Sequence, residues 1–178
     1  MDRQRILAAV LAGGQSRRFG SDKALAMLDG TTLLELALTQ ARQWSGAVVL
    51  VGREVPGIRC VPDWPRPAMG PLGGIAAALR LASSEGFDAV LTCGVDSPQL
   101  PADLLQLLAP APAYVADQPV VGLWPARAAD AAVAILAGSG KHSMLALAGA
   151  VGARAVALAA QTINVNRPDD LDRLRGAD

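Results

Sequence analysis

The sequence predicts an α/β fold in which a parallel or mixed β-sheet lies between helices on both of its faces. Three observations support this prediction. The continuous apolar runs over residues 5–11 and 89–94 are typical of strands that are buried on both faces. Segments of helical length separate the predicted strands. The length of 178 residues fits one ordinary domain, so we expect a single domain over residues 1–178.

The remaining strands are predicted from short apolar runs that stop at turn residues. The first strand stops at Gly13 and Gly14, and the run over 89–94 stops just before Asp96. The other predicted strands cover residues 47–51, 58–62, two short segments within 113–123, 156–158 and 163–165. Ligands of such sheets bind beyond the carboxyl ends of the strands, so the loops after these runs are the candidate site.

The predicted helices are recognised by their caps and their apolar period. Thr32 and Glu35 form a capping-box pattern, which predicts a helix running toward Arg42. Asn166, which is followed by acidic residues, is predicted to be the N-terminal cap of the last helix. One further helix is predicted to follow the Pro- and Gly-rich loop at 62–74 and to end near Ser83. Three more are predicted over residues 102–108, 126–136 and 144–148.

The composition excludes several classes of protein. With 52% apolar and 18% charged residues, the chain lacks the charge-rich composition of a disordered protein. The 16 basic and 16 acidic residues cancel, so there is no net positive charge to attract nucleic acid or an anionic membrane. Any anion must therefore be bound by a local site.

Cysteine content and hydropathy predict a cytoplasmic protein. Cys60 and Cys93 are too few for a disulfide framework, and they form no C-x-x-C pair. The longest uncharged apolar stretch, residues 144–153, is shorter than the roughly 18 residues that cross a bilayer. The N-terminal apolar run is too short for a signal peptide, and we expect it to be a buried strand.

The loop between residues 11 and 23 combines glycines with cations. Gly13 and Gly14 allow a ligand to approach the backbone closely, while Arg17, Arg18 and Lys23 supply three positive charges. A polyphosphate would match both features. The loop has neither the G-x-G-x-x-G nor the G-x-x-x-x-G-K-[ST] spacing, which excludes the two commonest nucleotide motifs. A solvated turn with surface arginines is the alternative.

Asp96 is the second candidate, because it directly follows a buried strand and Pro98 stiffens the next turn. A carboxylate here suits Mg²⁺, which takes one or two carboxylates together with water and substrate phosphates. A turn or helix-capping role is the alternative. If both loops lie at the same edge of the sheet, Lys23 and Asp96 converge on one pocket. His142 has no metal-ligand or nucleophile pattern around it, and we assign it no catalytic role.

Four ordered motifs resemble those of nucleotidyltransferases, and most closely those of the molybdenum cofactor guanylyltransferases. The motifs are residues 11–23, Asp63 followed by 70–74, residues 96–98, and residues 163–171. The resemblance covers nearly the whole chain. It implies a single-domain three-layer αβα sandwich with a mostly parallel, Rossmann-like sheet of the nucleotidyltransferase type. The N-terminal part would bind the nucleotide and the C-terminal part the pterin cofactor.

The resemblance also implies a reaction. GMP would pass from GTP to the terminal phosphate of the molybdenum-molybdopterin cofactor, giving the guanine dinucleotide form and pyrophosphate, with Mg²⁺ as the cofactor. A terminal phosphate is already ionised at neutral pH and needs no protein base. The nucleotide-binding residues that the resemblance implies are Leu11, Ala12 and Gly13 at the guanine, Arg17 and Lys23 at the triphosphate, and also Gly14, Asp63, Gly70 and Asp96. Asp96 would in addition hold Mg²⁺, and Asn164 and Asn166 would face the pterin. Arg17, Lys23 and Asp96 form the implied catalytic set.

Some positions depart from the family pattern. Residues 51–52 lie where relatives often carry an asparagine that touches the nucleotide. Gln118 and Pro119 lie where a His-Pro pair is common, and residues 141–142 lie where paired arginines occur. In the family that the chain resembles, a second glycine, here in the pair Gly13-Gly14, goes with GTP, whereas the related cytidylyltransferases tend to show Leu-Ala-Ala-Gly. The resemblance therefore implies GTP and not CTP.

CTP with the same cofactor, another phosphorylated acceptor, and a non-catalytic cofactor-carrying chaperone are the alternative functions. The expected partners are the substrates GTP and molybdenum-molybdopterin, with transient contacts to cofactor-biosynthesis proteins and apo-molybdoenzymes. Neither nucleic acid nor a membrane is expected.

Overall fold

A computed structural model describes residues 2–14, 19–20, 22–159 and 162–175. Most strands of this part of the chain belong to one sheet. The strands are β1 (Ile6–Leu11), β2 (Met27–Leu28), β3 (Thr31–Thr32), β4 (Ala47–Val51), β5 (Cys60–Val61), β6 (Ala89–Gly94), β7 (Ala113–Val115), β8 (Gln118–Pro125) and β9 (Arg154–Val156). Strands β2 and β3 pair with each other in a separate antiparallel hairpin.

The main sheet has seven strands in the order β5-β4-β1-β6-β8-β7-β9. Strands β5, β4, β1 and β6 are all parallel to one another, and β8 then pairs antiparallel with both β6 and β7. The first strand lies between β4 and β6, so the chain moves outward from β1 in both directions. A parallel sheet with such a reversal has a crevice at the carboxyl ends of its central strands, where ligands bind.

Helices cover both faces of the sheet. They are α1 (Leu33–Trp44), α2 (Gly70–Glu85), α3 (Leu104–Leu108), α4 (Ala129–Ala137), α5 (Met144–Val151) and α6 (Asp169–Arg175). Alternate residues of β1 point to opposite faces, as the strand geometry requires. Ile6, Ala8 and Val10 pack with α1 and α3, whereas Leu7 and Ala9 pack with α2, α4 and α5. The prediction of a mostly parallel, three-layer α/β fold is therefore confirmed.

Local signals predicted the start of α1 correctly. The Thr32 hydroxyl accepts a hydrogen bond from the Glu35 amide at 3.1 Å, and the Glu35 carboxylate accepts one from the Thr32 amide at 3.0 Å. This capping box satisfies two amides that the first helical turn leaves unpaired.

Among the described residues, no helix combines the length and apolarity that a membrane span requires.

The C-terminal segment differs most from the prediction. Residues 163–165 form no strand, because the Val165 amide bonds to the Asp96 carbonyl at 2.8 Å and the segment crosses the end of the sheet. The last helix begins at Asp169 and not at Asn166. The carboxylate of Asp170, inside the helix, accepts hydrogen bonds from the Asn166 and Arg167 amides and so replaces the expected cap.

Smaller differences are shifts of a few residues at element ends. The strand expected at 156–158 is β9 at Arg154–Val156, and the one expected at 58–62 is limited to Cys60–Val61. The helix expected at 126–136 begins with a short 3₁₀ turn before α4. The helix expected at 102–108 starts at Leu104, and the one expected at 144–148 runs to Val151.

Thr92 supplies a test of how the two halves of the sheet are joined. Its buried hydroxyl donates to the Val120 carbonyl at 2.6 Å and accepts from the Trp124 indole N–H at 3.0 Å. We predict that Thr92→Val, which keeps the shape and removes these bonds, lowers the free energy of unfolding by about 1–3 kcal/mol. Urea unfolding measures the change. Thr31→Val, in the outlying hairpin, is the control and should change it by less than about 0.5 kcal/mol.

Candidate active site

A cleft of about 820 Å³ opens at the carboxyl ends of β1 and β6. Leu11 and Gly94, the last residues of these strands, are partners across the parallel ladder. The two loops that follow them are therefore neighbours, as the sequence predicted. The predicted site residues that line the cleft are Leu11, Ala12, Gly13, Gly14, Lys23, Asp63, Gly70, Asp96 and Asn164.

Asp96 is held in a tight turn at the end of β6. The Val95 amide bonds to the Leu11 carbonyl at 3.2 Å, and the Ser97 amide bonds to the Gly94 carbonyl at 3.3 Å. The carboxylate of Asp96 lies over Gly94, where any side chain would collide with it. The side chain of Asp96 is 31% exposed, so its oxygens are accessible from the cleft.

Lys23 reaches the same point from the first loop. Asp22 accepts a hydrogen bond from the Ala24 amide at 3.2 Å and so caps the short 3₁₀ turn Lys23–Leu25. From this turn the Lys23 ammonium donates to the Asp96 carboxylate at 3.1 Å and to the Val165 carbonyl at 2.9 Å. The Lys23 side chain is only 14% exposed. The structure thus brings the predicted cation and the predicted metal ligand together in one place.

Two glycines form the wall of the cleft beside β4. Gly52 has a φ of 78°, which a residue with a side chain adopts only at a cost. A Cβ on Gly13 would lie 3.0 Å from the Gly52 Cα, and a Cβ on Gly52 would lie 2.7 Å from the Gly13 Cα. The backbones of the two loops therefore touch, and the absence of side chains keeps this wall flat.

Asp63 lies on the same wall. Burial raises the pKa of its carboxyl group, and a hydrogen bond from the Ala68 backbone partly opposes that rise. Gly74 lies beside this carboxylate, and a Cβ on Gly74 would lie 3.0 Å from the Val51 side chain, so the glycine allows the start of α2 to pack closely on β4. Gly70 begins α2, so the positive end of this helix dipole points at the cleft.

The structure separates the two predicted asparagines. Asn164 lines the cleft, and its buried side-chain oxygen has no hydrogen-bond partner among the described residues. Asn166 is exposed and is not a lining residue of the cleft. Arg17, the third member of the predicted catalytic set, lies outside the described residues.

Several polar residues in and beside the site were not among those predicted from the sequence. Ser97 and Gln118 line the cleft and hydrogen-bond to each other at 2.7 Å. Arg53 forms an ion pair with Asp22, next to Lys23, and so links the end of β4 to the first loop. Ser97 adjoins the predicted Asp96, and Gln118 was noted only as a departure from the family pattern. No local signal in the sequence pairs these side chains.

Two other groups are unsuited to catalysis. Burial and the nearby Asp96 raise the pKa of the Cys93 thiol to about 12, so it is not a thiolate at neutral pH. The His142 ring nitrogen lies 2.9 Å from the Gly138 carbonyl, and His142 does not line the cleft. Among the described residues there is no cluster of three or more acidic, histidine or cysteine side chains that could hold a metal.

The fold and the site together define a phosphate-group transferase of the nucleotidyltransferase type. One cleft at the sheet edge is lined by a flat glycine wall, a helix N-terminus, a lysine and carboxylates that include Asp63 and Asp96. Residues 8–164 match the family described as the MobA-like NTP transferase domain. The chain belongs to this family.

Curated relatives cover nearly the whole chain. A protein of Acidiphilium cryptum named molybdenum cofactor guanylyltransferase is 38% identical, over 94% of this chain and 92% of its own length. A Rhodobacter capsulatus protein of the same name is 34% identical, over 96% of this chain and 97% of its own length.

Solved structures share the fold. The molybdopterin-guanine dinucleotide biosynthesis protein A of Archaeoglobus fulgidus superposes with a TM-score of 0.75 at 24% identity, over 94% of this chain and 95% of its own. A Mycobacterium tuberculosis protein in complex with manganese gives a TM-score of 0.65 at 21% identity, over 99% of this chain and 100% of its own.

The contact between Gly13 and Gly52 gives a matched pair of variants. We predict that Gly13→Ala lowers the free energy of unfolding by about 1–3 kcal/mol, because its methyl group would press on the Gly52 backbone. Gly14→Ala is the control, since a Cβ at Gly14 meets no atom of the described residues within 4 Å. Urea unfolding compares the two. Equal stability of both variants would contradict the close packing of this wall.

Proposed function

We propose that this protein transfers GMP from GTP to the terminal phosphate of the molybdenum-molybdopterin cofactor, forming the guanine dinucleotide cofactor and releasing pyrophosphate. The single observation that carries the proposal is the meeting of Lys23 and Asp96, at 3.1 Å, inside the cleft. Family membership and the shared name of the curated relatives support the same activity.

The reaction needs positioning and charge neutralisation more than proton transfer. An oxygen of the cofactor's terminal phosphate forms a bond to the α-phosphorus of GTP. The bond from that phosphorus to the bridging oxygen breaks, and pyrophosphate leaves with the electron pair. Because the attacking phosphate is already ionised, no side chain has to remove a proton. This agrees with a cleft whose nearby thiol, Cys93, stays protonated.

Lys23 and the start of α2 are suited to the triphosphate. The ammonium group provides a charge-assisted hydrogen bond to phosphate oxygens. The N-terminal turn of α2, with Gly70 and Gly74 on the cleft, adds the positive end of a helix dipole. Leu11, Ala12, Gly13, Gly14 and Asp63 would contact the rest of the nucleotide, and Arg17 would assist at the triphosphate.

Asp96 is the residue we assign to a divalent cation. Its carboxylate is a hard oxygen donor that is accessible from the cleft, which fits Mg²⁺ or Mn²⁺. A site with one carboxylate suits a cation that takes its other ligands from water and phosphates. When bound there, the cation would neutralise charge on the phosphate oxygens. The manganese complex of the Mycobacterium tuberculosis protein supports a divalent cation in this fold.

The two parts of the chain would divide the substrates between them within one domain. The residues assigned to the nucleotide lie before Asp96, whereas Asn164 and Asn166 belong to the C-terminal segment. The side-chain oxygen of Asn164 has no hydrogen-bond partner among the described residues and lies at the cleft, so it is suited to accept a hydrogen bond from the N–H groups of a pterin. We propose that this segment binds the pterin cofactor.

GTP is the favoured nucleotide. Both curated relatives are named guanylyltransferases, and the Gly13-Gly14 pair agrees with that choice. The same names favour an enzyme over a cofactor-carrying chaperone.

We also propose a cytoplasmic reaction, because Cys60 and Cys93 are both free thiols, as is usual in a reducing compartment. Transient contacts with cofactor-biosynthesis proteins and apo-molybdoenzymes would deliver the substrate and take the product.

The activity is tested directly by pyrophosphate release. Incubation with GTP, Mg²⁺ and molybdenum cofactor should release pyrophosphate, and mass spectrometry should find the guanine dinucleotide as the product. CTP should give at least tenfold less product. Faster reaction with CTP would replace the guanine assignment, and no release with either nucleotide would remove the proposed function.

Asp96→Asn tests the metal assignment. The variant loses the negative charge that holds the cation, so we predict that kcat falls by roughly 100-fold. Asp130→Asn, on the exposed side of α4, is the matched control and should keep wild-type kcat. Normal turnover by Asp96→Asn would rule out this carboxylate as the metal ligand.

Lys23→Ala tests the phosphate assignment. A charge-assisted hydrogen bond contributes roughly 1.5–3 kcal/mol, so GTP affinity should fall about 10-fold to 100-fold, as measured by titration calorimetry. Lys141→Ala removes the same charge from an exposed residue outside the cleft and should leave GTP affinity unchanged. Equal affinities for both variants would show that the first loop does not hold the triphosphate.

A further inference from the structure

Gln118, the first residue of β8, hydrogen-bonds on two sides through one side chain. Its side-chain oxygen accepts from the Ser97 hydroxyl at 2.7 Å. Its side-chain nitrogen donates to the Thr162 hydroxyl at 2.7 Å and to the Thr162 carbonyl at 3.1 Å. Gln118 is 7% exposed and Ser97 is 3% exposed. A buried amide with both ends satisfied fixes the distance between its partners.

Both partners adjoin the site. Ser97 directly follows Asp96, and Thr162 lies two residues before Asn164. Val165 of the same C-terminal segment contacts both Asp96 and Lys23. The Val165 amide donates a hydrogen bond to the Asp96 carbonyl, and the Val165 carbonyl accepts one from the Lys23 ammonium. The Asp96 turn and the C-terminal segment are therefore joined at two points.

The side-chain amide of Gln118 serves both partners. It carries an acceptor oxygen and a donor nitrogen on one planar group, whereas a carboxylate lacks the donor and leucine lacks both. The adjacent backbone is restrained as well, because Pro119 follows and Gln118 pairs with Val115 where the register of β7 and β8 shifts. The side chain therefore reaches its two partners from a fixed position.

We propose that Gln118 is a positioning residue for the transfer reaction: its amide holds the C-terminal segment against the Asp96 turn, so that the cofactor's phosphate lies in line with the α-phosphorus of GTP. This inference rests on the proposed function. Reacting atoms must approach within about 3–3.5 Å, and a misplacement of about 1 Å can cost 100-fold in rate. Gln118 itself touches no reacting atom in this account.

The test compares Gln118→Leu with the wild type in steady-state kinetics for each substrate. The variant should raise KM for the molybdenum cofactor and lower kcat, with a combined loss in kcat/KM of at least 30-fold. KM for GTP should stay within threefold, because the residues assigned to the nucleotide lie on other loops. Gln106→Leu, on the exposed side of α3, is the matched control and should behave as the wild type.

Ser97→Ala provides a second and milder variant in case Gln118→Leu folds poorly. It removes one hydroxyl and should raise KM for the cofactor about threefold. In the double variant, Ser97→Ala should add no further loss to that of Gln118→Leu, because both changes break the same hydrogen bond. Independent, additive effects would contradict the proposed link.

Other outcomes separate this inference from the proposed function. If the wild type transfers GMP and Gln118→Leu has unchanged kinetics, or raises both KM values equally, the positioning role is wrong and the function stands. If the wild type releases no pyrophosphate with GTP or CTP, the proposed function fails and the positioning role fails with it.

Discussion

The ion pair between Lys23 and Asp96 is the contact on which the arrangement of the cleft depends. The two residues are 73 positions apart in the chain, and each is held by its own local structure. Asp22 caps the turn that carries Lys23, and the end of β6 carries Asp96. Val165 adds the C-terminal segment by bonding to both residues. Three distant segments thus meet at one point, because β1 and β6 are parallel neighbours.

The electrostatics of this pair agree with the proposed chemistry. Lys23 and Asp96 neutralise each other while their side chains are largely buried. A nucleotide with its divalent cation would supply an anion for Lys23 and a cation for Asp96, so each charge would gain a partner of opposite sign. The balanced composition of the chain, with 16 basic and 16 acidic residues, is consistent with local rather than global attraction of the triphosphate.

The sequence predicted the central part of the fold because its signals are local. The apolar runs of β1 and β6 and the capping box of α1 are each contained within a few residues, and the rule for sheet edges then places the loops beyond β1 and β6 together. The bonds of Gln118 could not be predicted, because they join residues 21 and 44 positions away. The alternating apolar residues at 163–165 suggested a strand, but Val165 is buried against other elements and pairs with the Asp96 turn instead.

Under the proposed function, Lys23 and Asp96 share one metal-nucleotide site. The most direct measurement is a crystal structure of the protein with Mn²⁺ and a non-hydrolysable GTP analogue, with the metal located by its anomalous scattering. We expect a manganese peak at coordination distance from the Asp96 carboxylate, and triphosphate oxygens within hydrogen-bond distance of the Lys23 ammonium. A metal and triphosphate bound away from these two side chains would contradict it.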